Sequence, residues 1–183
     1  VDKIVGDEVM ALYGAPTYYQ DHALRAVKTS LDMQVNLTRL RAEMARSGQV
    51  LPECGTGINT GDMVVGNIGG ETRQDYTVLG SAVNLAARLC GAAQGGQVIL
   101  TQATLKEIVD TLSGGFMAWE ERDEGYAVVE ALGGKTEGVF PLVAELAGKV
   151  IIIGPEGAPQ FKFRYLYAVK VKGGDEPLPV IEA

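Results

Sequence analysis

"KIVGDEVMALYG", Lys3 to Gly14, is the stretch whose reading decides the fold. Apolar residues lie on both sides of a polar Gly-Asp-Glu step. Two short strands, Val1–Val5 and Glu8–Tyr13, are predicted around Gly6-Asp7, with Gly-Asp as the hairpin turn. Asp7 and Glu8 then stand at the hairpin tip. A solvated turn explains such a pair, because Gly-Asp turns are common. Half of a hard-cation site explains it too, since Mg²⁺ takes one or two carboxylates together with substrate phosphates.

Outward from this hairpin, helices and strands interleave. Leu24, Val27, Leu31 and Val35 recur at helical spacing, with Asp21 as N-cap and Gly48 as the stop, so a long amphipathic helix is predicted. "ECGTGINTGDMVVGNIGG" reads as a second hairpin turning at Thr60-Gly61-Asp62. "DYTVLG" reads as a strand end, and "SAVNLAARLCGAA" as a helix capped by Ser81. "GQVILT" is then a strand and "QATLKEIVDTL" a helix. From Gly114 onward the chain is strand-like and broken by glycine. Hairpins interleaved with helices predict an α+β fold, with helices packed on a mainly antiparallel sheet. A single domain over 1–183 is predicted, with a core over 1–112, a β-rich part over 113–183 and an insertion at about 146–165. "EALGGKTEGVFPLVAE" and "AVKVKGGDEPLPVIEA" echo one another weakly, each a glycine turn followed by an apolar strand.

Composition narrows the function. The chain has 183 residues, 46% hydrophobic and 21% charged, enough to bury a core. Sixteen basic against 23 acidic residues give a net charge of −7, which disfavours a non-specific nucleic-acid binder. Two cysteines outside any CxxC, and one histidine, argue against a disulfide framework, a zinc site or a His-rich metal site, and fit a reducing cytoplasm. No apolar run approaches the roughly 20 residues of a membrane span, so no membrane contact by this domain is expected.

The segment "GGETRQDYTVLGSAVNLAARL" holds more chemistry. Asn84 and Arg88, four residues apart, share one face of the predicted helix. A merely wetted face is one account of them. A site for an anion or a ribose is the other, favoured because the surrounding Val83, Leu85, Ala86, Ala87 and Leu89 are all apolar. There is no GxxxxGK[ST] phosphate loop, and "GGETR" lacks the strand–GxGxxG–helix context of a dinucleotide site.

Taken in order, "KIVGDEVMALYGAP", "DHALRAV", "GTGINTGDMVVGNIGG", "RQDYTVLGSAVNLAARL" and "GGQVILT" resemble the catalytic domain of class III adenylate/guanylate cyclases of the bacterial kind. The resemblance implies a ferredoxin-like βαββαβ core, palm-like, acting as a head-to-tail homodimer with active sites in the interface. It implies ATP as substrate, two Mg²⁺ or Mn²⁺ ions per site, and regulatory domains fused outside this chain. Asp7 matches a metal-binding aspartate, Lys3 the lysine that reads adenine N1, and Thr77 the position that accepts from the adenine amino group. Asn84 matches the ribose-orienting asparagine, and Arg88 the arginine that stabilises the pentavalent phosphorus. The triphosphate lysine corresponds to Lys172, with Lys135 as the alternative. The family's first metal aspartate lies on an opening strand, F-x-D-[IL]-x-G-[FY], that would precede Val1, so the N-terminal strand and helix are expected to be missing and the chain to be part of something longer. The activity implied is adenylate cyclase. A guanylate cyclase, or a catalytically inactive cyclase-like regulatory domain, is the alternative.

Overall fold

A computed structural model describes residues 1–70, 74–111, 116–122, 125–131, 150–155, 161–165 and 180–183. The first hairpin forms about the predicted Gly6-Asp7 turn, with strands shorter than the sequence predicts. Strand β1 (Lys3–Val5) pairs antiparallel with β2 (Glu8–Met10), and Val5 faces Glu8 across the turn. Gly6 has φ +64°, and no described non-glycine residue has positive φ. A glycine with positive φ at the first turn position suits the right-handed twist of two tightly connected strands. The pair forms a two-stranded sheet of its own.

Helix α1 (His22–Arg46) follows, and two details differ from the prediction. Asp21 occupies the N-cap position but its side chain makes no cap bond. Its Oδ1 instead accepts from Arg25 Nε at 2.7 Å, and the Arg25 guanidinium lies 4.4 Å from the Tyr19 ring centroid. Of the apolar stripe Leu24, Val27, Leu31 and Val35, only Val27 is fully buried, beside Ala23 and Ala26. The reason is the company of the helix's second half. Gln34 Nε2 donates to the Cys54 carbonyl at 2.9 Å, and Arg41 donates to the Leu51 carbonyl and to Glu53 Oε1. There α1 holds the returning chain by hydrogen bonds rather than by apolar contact, so Val35 stays exposed.

The segment read as a second hairpin is split between two sheets. β3 (Thr56–Ile58) runs parallel to β6 (Val98–Thr101), with Gly57 opposite Ile99. β4 (Val64–Gly69) pairs antiparallel with β5 (Gln74–Leu79) in a separate two-stranded sheet, with Gly66 opposite Thr77. Burial explains the choice. Pairing with β6 places Ile58 among Val98, Ile99 and Leu100, each nearly or fully buried, whereas Val64 on β4 is exposed. Each large apolar side chain taken out of water stabilises by about 1.5–3 kcal/mol.

Helix α2 (Ser81–Ala92) crosses β3 at very close range. A Cβ on Gly57 would lie 2.2 Å from the Cys90 amide nitrogen and 2.7 Å from the Ala86 carbonyl oxygen. Only glycine permits that approach. Leu89 then meets Ile99 and Val180, with Leu85, Ala92 and Ala93 packed around them. Helix α3 (Gln102–Thr111) begins at Thr101, whose hydroxyl accepts from the Thr104 amide at 3.3 Å, the N-cap arrangement.

The main sheet continues with β7 (Phe116–Arg122), β8 (Gly125–Ala131), β9 (Val150–Pro155), β10 (Phe161–Tyr165) and β11 (Val180–Glu182). Its order is β3-β6-β11-β10-β9-β7-β8, and every pairing except β3 with β6 is antiparallel. The fold is α+β, as predicted, and the segment over 146–165 supplies two strands inside this sheet.

Candidate functional site

Lys3 opens β1, and Thr77 sits in the middle of β5. They are 74 positions apart, yet Lys3 Nζ donates to Thr77 Oγ1 at 2.5 Å. Thr77 is 9% exposed, while the Lys3 side chain is 40% exposed. The pair therefore has a sheltered hydroxyl and a reachable ammonium. Opposite Thr77 stands Gly66, where an added Cβ would meet no described atom within 4 Å.

A third group belongs here that the sequence reading missed. Asp2 Oδ2 accepts from the Thr77 hydroxyl at 3.2 Å and lies 3.4 Å from Lys3 Nζ. Its side chain is only 3% exposed. The Asp2 amide donates to the Met10 carbonyl at 2.8 Å, so the hairpin backbone fixes its position. One signal was available: a carboxylate immediately before a lysine, in an otherwise apolar stretch. Residue alternation did not point to it, because neighbours on a regular strand face opposite sides; Asp2 lies one residue outside β1.

Asp7 and Glu8 are exposed at the tip of the first hairpin. The charge of this tip reaches α2. The Cys90 thiol is pushed up from its ordinary value first by burial, with the Glu8 and Asp7 carboxylates adding in the same direction. Among the described residues no group of three or more His, Cys, Asp or Glu is placed to hold a metal ion.

Asn84 and Arg88 both face outward on α2, together with Ala87. Ala82 and Leu89 are buried on the other side. Neither Asn84 nor Arg88 hydrogen-bonds or ion-pairs with another described residue. Lys135 and Lys172 lie outside the described residues. Of the predicted set, the structure thus joins Lys3 to Thr77, and shows Asp7 exposed in the β1–β2 turn and Asn84 and Arg88 exposed together on α2. A surface concavity of about 400 Å³, lined by Leu12 to Thr17 with Tyr19, Arg25 and Thr29, holds none of these residues.

Residues 2–139 match the model of the adenylate and guanylate cyclase catalytic domain, and the chain belongs to that family. Its relatives carry both specificities. It is 37% identical over 111 residues to the terminal-differentiation-specific adenylate cyclase of Dictyostelium discoideum, covering 59% of this chain and 5% of that one. An uncharacterized Mycobacterium tuberculosis protein is 36% identical over 113 residues, covering 58% of this chain and 18% of that one. The chain thus spans a fifth or less of the length of these two relatives. Among solved structures, the adenylyl cyclase CyaB from P. aeruginosa superposes with a TM-score of 0.62 at 26% identity, over 99% of this chain and 69% of that one. The guanylyl cyclase Cya2 superposes with a TM-score of 0.59 at 30% identity, over 99% and 67%. No helix among the described residues is long and apolar enough to cross a membrane.

Proposed function

We propose that this domain is an adenylate cyclase, converting ATP to 3′,5′-cyclic AMP and pyrophosphate at the interface of a head-to-tail homodimer. The observation that supports this reading best is the contact between Lys3 and Thr77. An ammonium group only donates, and adenine N1 only accepts. A threonine oxygen accepts from the 6-amino group. Guanine reverses both positions, offering an N1–H donor and an O6 acceptor, and would leave the pair mismatched.

The remaining residues take roles suited to their chemistry. Asn84 orients the ribose from the exposed face of α2. The ribose 3′-oxygen attacks the α-phosphorus, the bond to the bridging oxygen breaks, pyrophosphate leaves, and the 3′-hydroxyl proton is lost. Arg88, free of any described partner, meets negative charge that builds at phosphorus in the transition state. Lys172, or Lys135 in its place, holds the triphosphate. Asp7 fits a hard divalent ion, being an exposed carboxylate beside Glu8, and with substrate phosphates it makes an oxygen donor set suited to Mg²⁺ or Mn²⁺. Two such ions, when bound, supply Lewis-acid stabilisation of the nucleophile and the triphosphate.

Exposed apolar side chains on both small hairpins support the dimer. Ile4, Val5 and Val9 on the first, and Val64, Tyr76 and Leu79 on the second, are each at least half exposed. Large apolar side chains left exposed on two neighbouring segments suit an interaction surface. The proposed location is the cytoplasm, where ATP is available, with regulatory domains fused outside this chain.

The test is turnover by the complete gene product with ATP and with GTP, in Mg²⁺ and in Mn²⁺, beside Arg88→Ala. Cyclic AMP formed by the parent and reduced about 10²-fold or more in the variant is the expected result. A parent that binds ATP but forms no cyclic product with either metal would mark a regulatory domain; a preference for GTP would mark a guanylate cyclase.

A further inference from the structure

The Lys3–Thr77 pair does not stand alone, and the donor and acceptor count of its third member has a consequence. A threonine hydroxyl has one proton and two acceptor sites, whereas an ionised carboxylate only accepts and an ammonium only donates. Thr77 Oγ1 gives its proton to Asp2 Oδ2 and receives one from Lys3 Nζ. The proton is thereby committed, and what Thr77 has left to offer a base is a lone pair. We propose that Asp2 is a specificity-determining positioning residue, which fixes the Thr77 hydroxyl as an acceptor toward the 6-position of the purine. A free hydroxyl rotates to suit either an amino or an oxo group. One whose proton is held by a carboxylate rewards only the amino group. This inference rests on the adenylate reading above.

The setting favours the role. The Asp2 side chain is 3% exposed, so water competes little for its oxygens. Its backbone amide is fixed to Met10 across the hairpin. Asp2 acts through Thr77 and does not itself meet the nucleotide. Lys3 shares the same carboxylate oxygen but keeps further N–H donors for N1.

The probe that isolates this effect is purine riboside triphosphate, which retains N1 and lacks the 6-amino group. The measured quantity is the ratio of kcat/KM for ATP to kcat/KM for this analogue. It is taken with the complete gene product for the parent, Asp2→Ala, Asp2→Asn, Thr77→Val, and the double variant Asp2→Ala/Thr77→Val. In the parent ATP is favoured. Asp2→Ala lowers the ratio about tenfold, the order of effect of a hydrogen bond left unmade in a sheltered site. Asp2→Asn lowers it by roughly threefold, because an amide presents either its oxygen or its NH₂ to Thr77; this variant carries the test if Asp2→Ala does not fold. In the Thr77→Val background Asp2→Ala leaves the ratio unchanged. A ratio that stays at the parent value in the Asp2 variants while both rates fall together overturns the proposal and leaves Asp2 a structural residue. A parent that does not distinguish ATP from the analogue overturns the adenine reading of Thr77 itself, an outcome separate from any failure of Asp2.

Discussion

Thr104 and Thr77 are both buried threonines, but they sit in different company. Thr104 is fully buried within a closed set of neutral groups. Its hydroxyl meets those of Thr60 and Thr101, Thr101 donates to Asn59 Oδ1, and Asn59 Nδ2 donates to the Ala82 carbonyl at 3.0 Å. Each group finds its partner inside the network, which ties β3, β6, α2 and α3 together. Thr77 is bonded instead to two charged groups, one of which reaches solvent. The first arrangement spends all its hydrogen-bonding capacity on the fold. The second leaves a lone pair and an ammonium for something outside. The same side chain is structural in one place and a candidate for recognition in the other, and the difference lies in the charge and openness of its neighbours.

That contrast predicts that changes around the first region cost stability, while changes in the second cost activity. The largest expected effect is Gly57→Ala. Its Cβ would press on the backbone of α2 at 2.2 Å, and overpacking against backbone should cost about 3 kcal/mol in denaturant unfolding. An unaltered midpoint would show that β3 and α2 are less tightly apposed than described. Next comes Arg88→Ala, whose loss of about 10²-fold in turnover should leave stability within about 0.5 kcal/mol, since the side chain is exposed and without a described partner. A variant that unfolded would place Arg88 in the structural region instead.

Asn59→Ala should cost about 2 kcal/mol, because it removes the half-buried amide that donates to the Ala82 carbonyl and accepts from the Thr101 hydroxyl, and should leave the ATP-to-GTP ratio unchanged. A changed ratio would blur the two regions. The smallest effect concerns the thiols. Cys54 is exposed, while Cys90 is half-buried with its pKa raised by burial and by Glu8 and Asp7. At pH 8 Cys90 therefore holds less thiolate, and iodoacetamide should modify Cys54 several-fold faster in a mass-spectrometric time course. The sign for stability follows. Folded Cys90 binds its proton more tightly than the unfolded thiol, so its contribution is present below the unfolded value of 9.0 and is lost as pH rises through the higher folded value.

The local placement of several candidate residues was legible in the chain because it is written in local spacing. Gly6-Asp7 set the first turn, and a four-residue interval put Asn84 and Arg88 on one outward face of α2. The helices at 22–46, 81–92 and 102–111 likewise followed from period, although the caps did not: Asp21 makes no cap bond, and Gly80 rather than Ser81 holds the N-cap position of α2. These features depend on residues within a turn or two of one another, and a sequence records such distances directly.

Tertiary structure alone decided the rest. It sent β3 to β6 rather than to β4, because Ile58 is buried there among Val98, Ile99 and Leu100. It filled the second half of α1's inner stripe with Gln34 and Arg41, which hold the returning chain. Above all, it brought Asp2 to a threonine 75 positions away. Spacing and turn chemistry describe what neighbours along the chain can do. Which distant surfaces are removed from water together, and which buried charge then finds which hydroxyl, is fixed only when the whole chain packs.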